Sequence, residues 1–175
     1  MRMGNYIACI CEGGAERAIL DMLLDNHKLI FEREDLIEEE LLRCRKGEEF
    51  QNRYLRKGFS KKITVYRILD SHREKFKLSK AYEHKVDVIN VVTAPEIEML
   101  MIINEGKYAD FKKEQNKSGI KPSDYGKEKI AKDIKTYKFV KSYFSDINVL
   151  IRAIREYSRI SQRQKDEKML VDLLK

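Results

Sequence analysis

Three short apolar segments, Tyr6–Cys11, Ile63–Leu69 and Val86–Val92, constrain this chain more than any other feature. Each is too short for a buried helix, carries β-branched residues and gives way to a turn and then to a helical pattern. After the first come Glu12-Gly13-Gly14 and then Ala15, Ala18, Ile19, Met22 and Leu23 at helical spacing, with Glu16 in the first turn, where the helix dipole favours an anion. A strand, a Gly-Gly turn and a helix open a β-α-β unit. Residues 29–31 suit a further short strand, whereas residues 31–45 combine acids and leucines that suit a helix equally well and stay open. Residues 48–55 read as a helix with Gly58 as its C-cap. Ile63–Leu69 is the clearest central strand and exits at Asp70, and residues 75–84 read as a short helix. Thr93-Ala94-Pro95 turns the last strand into a helix, with Thr93 or Ala94 near the cap and Pro95 in the first turn.

Repeated strand-helix alternation with near-continuous apolar strands predicts a parallel sheet covered on both faces. Beyond Asn104 the pattern is mostly helical, with a polar loop at residues 115–119, a helix start at Pro122-Ser123 and a long final helix whose Ile147, Leu150, Ile151 and Ile154 share one face. The expectation is therefore an α/β fold. A mostly parallel central sheet flanked by helices forms a core over residues 1–105, and a basic helical part over 106–175 packs on it as one compact domain.

Composition narrows the class. The longest apolar run is far shorter than the ~20 residues that span a bilayer, and the N-terminus lacks the pattern of an export signal, so a cytoplasmic protein is expected. Cys9, Cys11 and Cys44 are odd in number and form no CxxC pair, which excludes a disulfide framework and a zinc ribbon. Cys9 and Cys11 alternate within an apolar run and read as buried strand residues. The formal net charge of +7 is unevenly placed: residues 1–105 hold 18 Lys and Arg against 19 Asp and Glu, whereas residues 106–175 hold 18 against 10. A neutral part joined to a basic one suits a site that works on a polyanion held by its neighbour.

In an open parallel sheet, ligands gather at the carboxyl ends of the strands. Glu12 follows the first strand, Asp70 follows the central one, and Glu98 lies in the first turn after the third, with Glu16 and Glu96 nearby. Carboxylate oxygens are hard ligands suited to Mg²⁺. Gly13-Gly14 has neither the GxxxxGK[ST] nor the GxGxxG spacing of a nucleotide-phosphate loop, and no Ser-His-Asp or Cys-His signature supports a side-chain nucleophile. His27 and His84 lie outside any cluster and read as solvent-facing.

The stretch Ile7-Ala8-Cys9-Ile10-Cys11-Glu12-Gly13-Gly14-Ala15-Glu16 resembles the strand-to-glutamate turn that opens Toprim domains, especially those of RloB-like proteins, where C-E-G-x-x-[TS]-E is usual. Val65-Tyr66-Arg67-Ile68-Leu69-Asp70 is similar to the family's apolar strand ending in aspartate. Thr93-Ala94-Pro95-Glu96-Ile97-Glu98-Met99-Leu100 is similar to its S-x-P-x-F-E-x-W segment, with Ile97 where phenylalanine is usual. The resemblance covers roughly residues 5–105, and Lys121 with Tyr125 extends it. It implies a Toprim-like α/β fold that binds Mg²⁺ or Mn²⁺ and acts on phosphodiester bonds, in a family associated with restriction and anti-phage systems. By that resemblance Glu12 is the acid/base glutamate, Asp70 a metal ligand and Glu98 the glutamate of the proline-glutamate motif.

One position departs from the family. Its usual D-x-D pair stands here as Asp70-Ser71-His72. Imidazole suits Mn²⁺ or Zn²⁺ better than Mg²⁺, so three alternatives stay open: a changed metal preference with His72 as ligand, an oxygen supplied by Glu74 or Glu98, or an inactive site. As a plain reading, His72 is a surface loop residue.

The basic part offers two candidate nucleic-acid surfaces. Lys121 precedes the Pro122 helix start and Lys127, Lys129, Lys132 and Lys135 follow it, and Arg152, Arg155, Arg159 and Arg163 recur at helical spacing opposite Ile147, Leu150 and Ile154. Such a stripe tracks phosphates, or it is a solvated face paired to acids such as Glu156. Two functions are expected: a metal-dependent nuclease acting on RNA or DNA in phage defence, or a catalytically inactive module that binds nucleic acid or a partner ATPase.

Overall fold

The computed structural model describes residues 6–57, 61–70, 75–93, 95–162 and 167–175. Within them the chain is α/β. Strands β1 (Tyr6–Cys11), β2 (Ile63–Leu69) and β3 (Val86–Val92) form an all-parallel sheet in the order β1-β2-β3, so the segment expected to be central is central. The register pairs Cys11 with Ile68 and Leu69 with Val92, which brings the carboxyl ends of all three strands to one edge.

Side chains alternate across the sheet, and each face has its own apolar cluster. Ile7, Cys9, Cys11, Ile68 and Val91 face the larger cluster with helices α1 (Gly14–Asp25), α4 (Glu96–Asn104), α7 (Tyr137–Tyr143) and α8 (Ile147–Ile160). Ala8, Ile10, Ile63, Val65 and Val86 face the smaller one, closed by Phe50 and Tyr54 of α2 (Gly47–Tyr54) and by Phe76 and Tyr82. The C-terminal half belongs to the larger cluster through Phe111, Tyr125, Ile134, Val140, Leu150, Ile154, Leu170 and Leu173. It therefore packs on the core. The chain end is tied down too: Ile30 N donates to Leu173 O at 2.9 Å, and Val92 N donates to Lys168 O at 3.0 Å.

Three local expectations need correction, one is narrowed, and one open segment takes a definite form. Leu29 forms only an isolated bridge to Leu174, not a strand of the sheet. The open segment 31–45 holds two short 3-10 turns, Arg33–Asp35 and Ile37–Glu39, and Leu36 and Leu42 bridge to the free side of β1. Residues 75–84 contain a single helical turn, α3 (Lys80–Glu83). The polar run 115–119 is not a loop but the end of helix α5 (Tyr108–Ser118), because Gln and Lys are good helix formers and Gly119, at φ 71°, supplies the left-handed C-cap. Finally, β3 is not covered throughout, since Asp87, Val88 and Asn90 are exposed. The expected Gly58 cap and Ala94 lie outside the described residues. Helix α6 (Pro122–Lys129) begins at Pro122 as read. No described helix is long and apolar enough to cross a membrane.

Candidate functional site

At the carboxyl edge of the sheet, a pocket of about 380 Å³ is lined by Glu16, Asp70, Glu98, Lys121 and Lys135, with Gly13, Gly14, Thr93 and Pro95 among its other walls. Each polar member is placed by an identifiable device. Thr93 is buried, and both its N–H and its hydroxyl donate to Leu69 O, at 2.7 and 3.0 Å, which fastens the exits of β2 and β3 together just before Asp70. The N–H of Ile97 then donates to Thr93 O at 3.3 Å and starts α4, carrying Glu98 into the pocket in its first turn.

The double glycine has a steric role. A Cβ on Gly13 would meet the Glu16 carboxylate where it now lies, so glycine leaves that side chain room to fold back over the first turn of α1. A Cβ on Gly14 would stand 3.1 Å from the Tyr137 amide nitrogen and 3.5 Å from Lys135 O. The close approach seats the turn before α7 on α1, and Tyr137 completes it by donating its hydroxyl to Asp21 at 3.2 Å. This turn delivers Lys135. Its ammonium lies 2.5 Å from Glu98 Oε1, although 56% of the lysine side chain is exposed and only 7% of the glutamate's is.

The electrostatics follow from that crowding. Burial pushes the Glu16 carboxyl above its ordinary range, its own backbone N–H opposes this, and the charges of Asp70 and Glu98 raise it further, against Lys135. Lys135 is pulled down by burial, yet its hydrogen bond to Glu98 and the charges of Glu98, Glu16 and Asp70 hold it above its usual value. These groups thus form one electrostatic unit, with the lysine as internal counter-ion to the acids.

Glu12 does not join them. It pairs with Arg45 and lines a separate hollow with Arg43, Cys44 and Glu49. The reason is strand alternation: Cys11 and Ile68 are register partners on the larger-cluster face, so Glu12, one residue after Cys11, turns to the α2 side, whereas Asp70, two after Ile68, turns to the α1 side. The expected convergence of Glu12, Asp70 and Glu98 is replaced by that of Glu16, Asp70 and Glu98. His72, Glu74 and Arg163 lie outside the described residues. Among the described residues no three His, Cys, Asp or Glu side chains are gathered closely enough to hold a metal ion as they stand.

On α8, Arg152, Arg155 and Arg159 are exposed, while Leu150, Ala153, Ile154 and Tyr157 are buried, so the stripe lies on the outer face as read. Arg159 donates to both carboxylate oxygens of Glu156, at 3.0 and 2.6 Å. Lys121 and Lys127 are exposed, and of the two only Lys121 lines the pocket. His27 and His84 are exposed as expected, with His27 paired to Glu32 at 2.8 Å. All three cysteines are buried, and burial pushes the Cys11 thiol up to about 12 and that of Cys44 to about 11, so both are inert thiols. Comparison of the chain with protein-family models, with curated proteins and with solved structures finds no match.

Glu16 gives the pocket a pH signature. Its folded carboxyl titrates above the unfolded value of 4.5. Below that value both states are protonated and nothing is lost; as pH rises, the unfolded chain ionises first and the native state is penalised, fully so above the folded pKa. Glu16→Gln should therefore stabilise the protein at neutral pH, with the gain vanishing in acid. Denaturant melts of both proteins at neutral pH and well below pH 4.5 check this.

Proposed function

We propose that this chain is a divalent-metal-dependent nuclease-like protein acting on phosphodiester bonds of RNA or DNA, with the pocket of Glu16, Asp70, Glu98, Lys121 and Lys135 as its centre. The observation that carries the reading is that pocket itself: three carboxylates and two lysines at the carboxyl edge of a parallel sheet. The RloB-like Toprim resemblance of the segments holding Asp70 and Glu98 supports the same reading and suggests anti-phage defence as its setting, although it gives the acid/base role to Glu12 and has Ser or Thr where Glu16 stands.

The donor set suits Mg²⁺ or Mn²⁺ by chemistry, being three hard carboxylates in one pocket, which would have to close on the ion because among the described residues no three are near enough to hold it as they stand. Asp70, Glu98 and Glu16 would hold the ion, taking over from the ammonium of Lys135 that now occupies Glu98. When bound, such an ion polarises a phosphoryl oxygen and lowers the pKa of water. The chain's own residues do the rest. Lys121 and Lys135 draw a phosphate to the pocket mouth, and Lys135, freed from Glu98, is placed to pair with it. Where Glu16 stays outside the ion's coordination, it would be the carboxyl placed to exchange a proton with water or the leaving group. Glu12, held by Arg45 on the other side of the strand exit, takes no part in this scheme.

A second reading rests on a specific observation. The Lys135–Glu98 pair neutralises one acid, and Ser71-His72 follow Asp70 where the family has x-Asp; a module that binds nucleic acid or a partner ATPase without cleaving would need no more. Cleavage assays separate the two. The nuclease reading expects RNA or DNA to be cut with Mg²⁺ or Mn²⁺ and not with EDTA, Asp70→Asn and Glu98→Gln to abolish cutting, and Glu16→Gln to slow it roughly 100-fold. Metal at 100 times its Kd should also stabilise the fold by about 2.7 kcal/mol. Equal melting temperatures with EDTA and Mn²⁺, with no cutting, would leave the binding module.

The arginine face would serve either reading as a phosphate track. Replacing Arg152 and Arg155 with glutamine should weaken binding to unrelated sequences alike and flatten the slope of log K against log salt by roughly one unit per lost contact. Stability should change by less than about 0.5 kcal/mol, because both side chains are exposed. Unchanged affinity and slope would make the stripe a solvated face.

A further inference from the structure

A second hollow, of about 470 Å³, adjoins the acidic pocket: Pro95 and Pro122 line both. Its volume falls within the roughly 300–1,000 Å³ of small-ligand sites, and its chemistry differs from that of its neighbour. Among the described residues no carboxylate lines it. Tyr108 and Tyr157 supply aromatic surface, Gln115 and Gln162 supply side-chain amides, and Lys112 is the only charged lining residue among the described ones. Lys112 donates to Gln115 Oε1 at 2.7 Å, which fixes that amide's orientation while its NH₂ makes no hydrogen bond among the described residues. Tyr108 is half-buried at the start of α5, with no ring stacked on it among the described residues. The hollow also receives Ile160, Ser161 and Gln162, which end α8 and follow Arg159 of the arginine face directly.

We infer that this hollow is the nucleobase subsite of the site proposed above: it takes one unpaired base of a single-stranded nucleic acid whose adjoining phosphate lies in the acidic pocket. The inference rests on that nuclease-like reading and adds the substrate's strandedness to it. Three features select a base over other occupants. A flat aromatic surface beside amide groups matches a base, which has a π-face for stacking and donor-acceptor edges that glutamine can pair. The shared proline wall sets the hollow one step from the phosphate pocket, as a base is from its own phosphate. Lys112 at the rim suits the flanking phosphate. A base still paired in a duplex cannot enter, so the arrangement favours single strands or bases turned out of a helix.

The test is equilibrium binding of a short labelled single strand, of a strand of the same length in which one central position carries no base, and of the matching duplex. It is run in Ca²⁺, which carboxylates also bind, with the oligonucleotide confirmed intact. The base-bearing strand should bind more tightly than the other two. Tyr108→Ala should cost it roughly 5- to 150-fold and Tyr108→Phe little, and Gln115→Ala should reduce the preference for a base without changing melting temperature. If Tyr108→Ala unfolds, the base-less strand and Gln115→Ala decide alone. Equal binding of base-bearing and base-less strands, unaffected by Gln115→Ala but weakened by Lys135→Ala, would overturn the subsite and leave the nuclease-like reading standing. No binding of any of the three would overturn both.

Discussion

The contact between Lys135 and Glu98 is the interaction on which the arrangement of this protein's carboxyl edge depends. Glu98 is buried in the first turn of α4 with two further carboxylates close by, and a buried charge left without a partner is strongly destabilising. Lys135 supplies the partner from the far half of the chain. For the lysine to be there, the turn before α7 must lie against α1, which the absence of a side chain at Gly14 eases and the Tyr137 to Asp21 hydrogen bond fixes. The ion pair therefore ties the basic C-terminal half to the sheet edge at the point where the strands present their acids. The two halves of the chain's uneven charge meet there.

That arrangement crowds like charges into one pocket, and the proposed function rests on this crowding. Three carboxylates share one pocket, and one of them, Glu16, is pushed toward its neutral form by burial and by the other two. A fold selected only for stability would place apolar or singly paired groups here. Repulsion of this kind is relieved by a cation, whether the ammonium of Lys135 or a metal ion that replaces it.

Much of the fold was legible in the sequence, and the reasons are local. β2 reads as central because Ile63, Val65 and Ile68 leave little room for another structure, and β1 with α1 reads from the Gly-Gly turn. The end of α5 was misread because Gln115, Asn116, Lys117 and Ser118 are polar, although polarity on an exposed helix face is no argument against helix. The choice between Glu12 and Glu16 was the most instructive. Spacing places both at the exit of β1, but which face each reaches depends on the pairing of Cys11 with Ile68, a register that one strand alone does not encode. The partnership of Lys135 with Glu98 was equally hidden: both residues were visible as candidates, but their meeting depends on how α7 docks. Nothing in the sequence pointed to the hollow beside Tyr108, whose walls come from α4, α5, α6 and the end of α8.

The central claim is that Glu16, Asp70 and Glu98 form a cation site in which Lys135 holds the place of a divalent ion. A crystal structure of the protein grown with Mn²⁺, with data collected to reveal the anomalous signal of manganese, tests it most directly. The account predicts an anomalous peak at about 2.0–2.2 Å from oxygens of Asp70 and Glu98 or Glu16, with the Lys135 ammonium withdrawn from Glu98. A manganese-soaked crystal with no peak in this pocket and Lys135 still paired to Glu98, or with manganese bound instead beside Glu12, would contradict it.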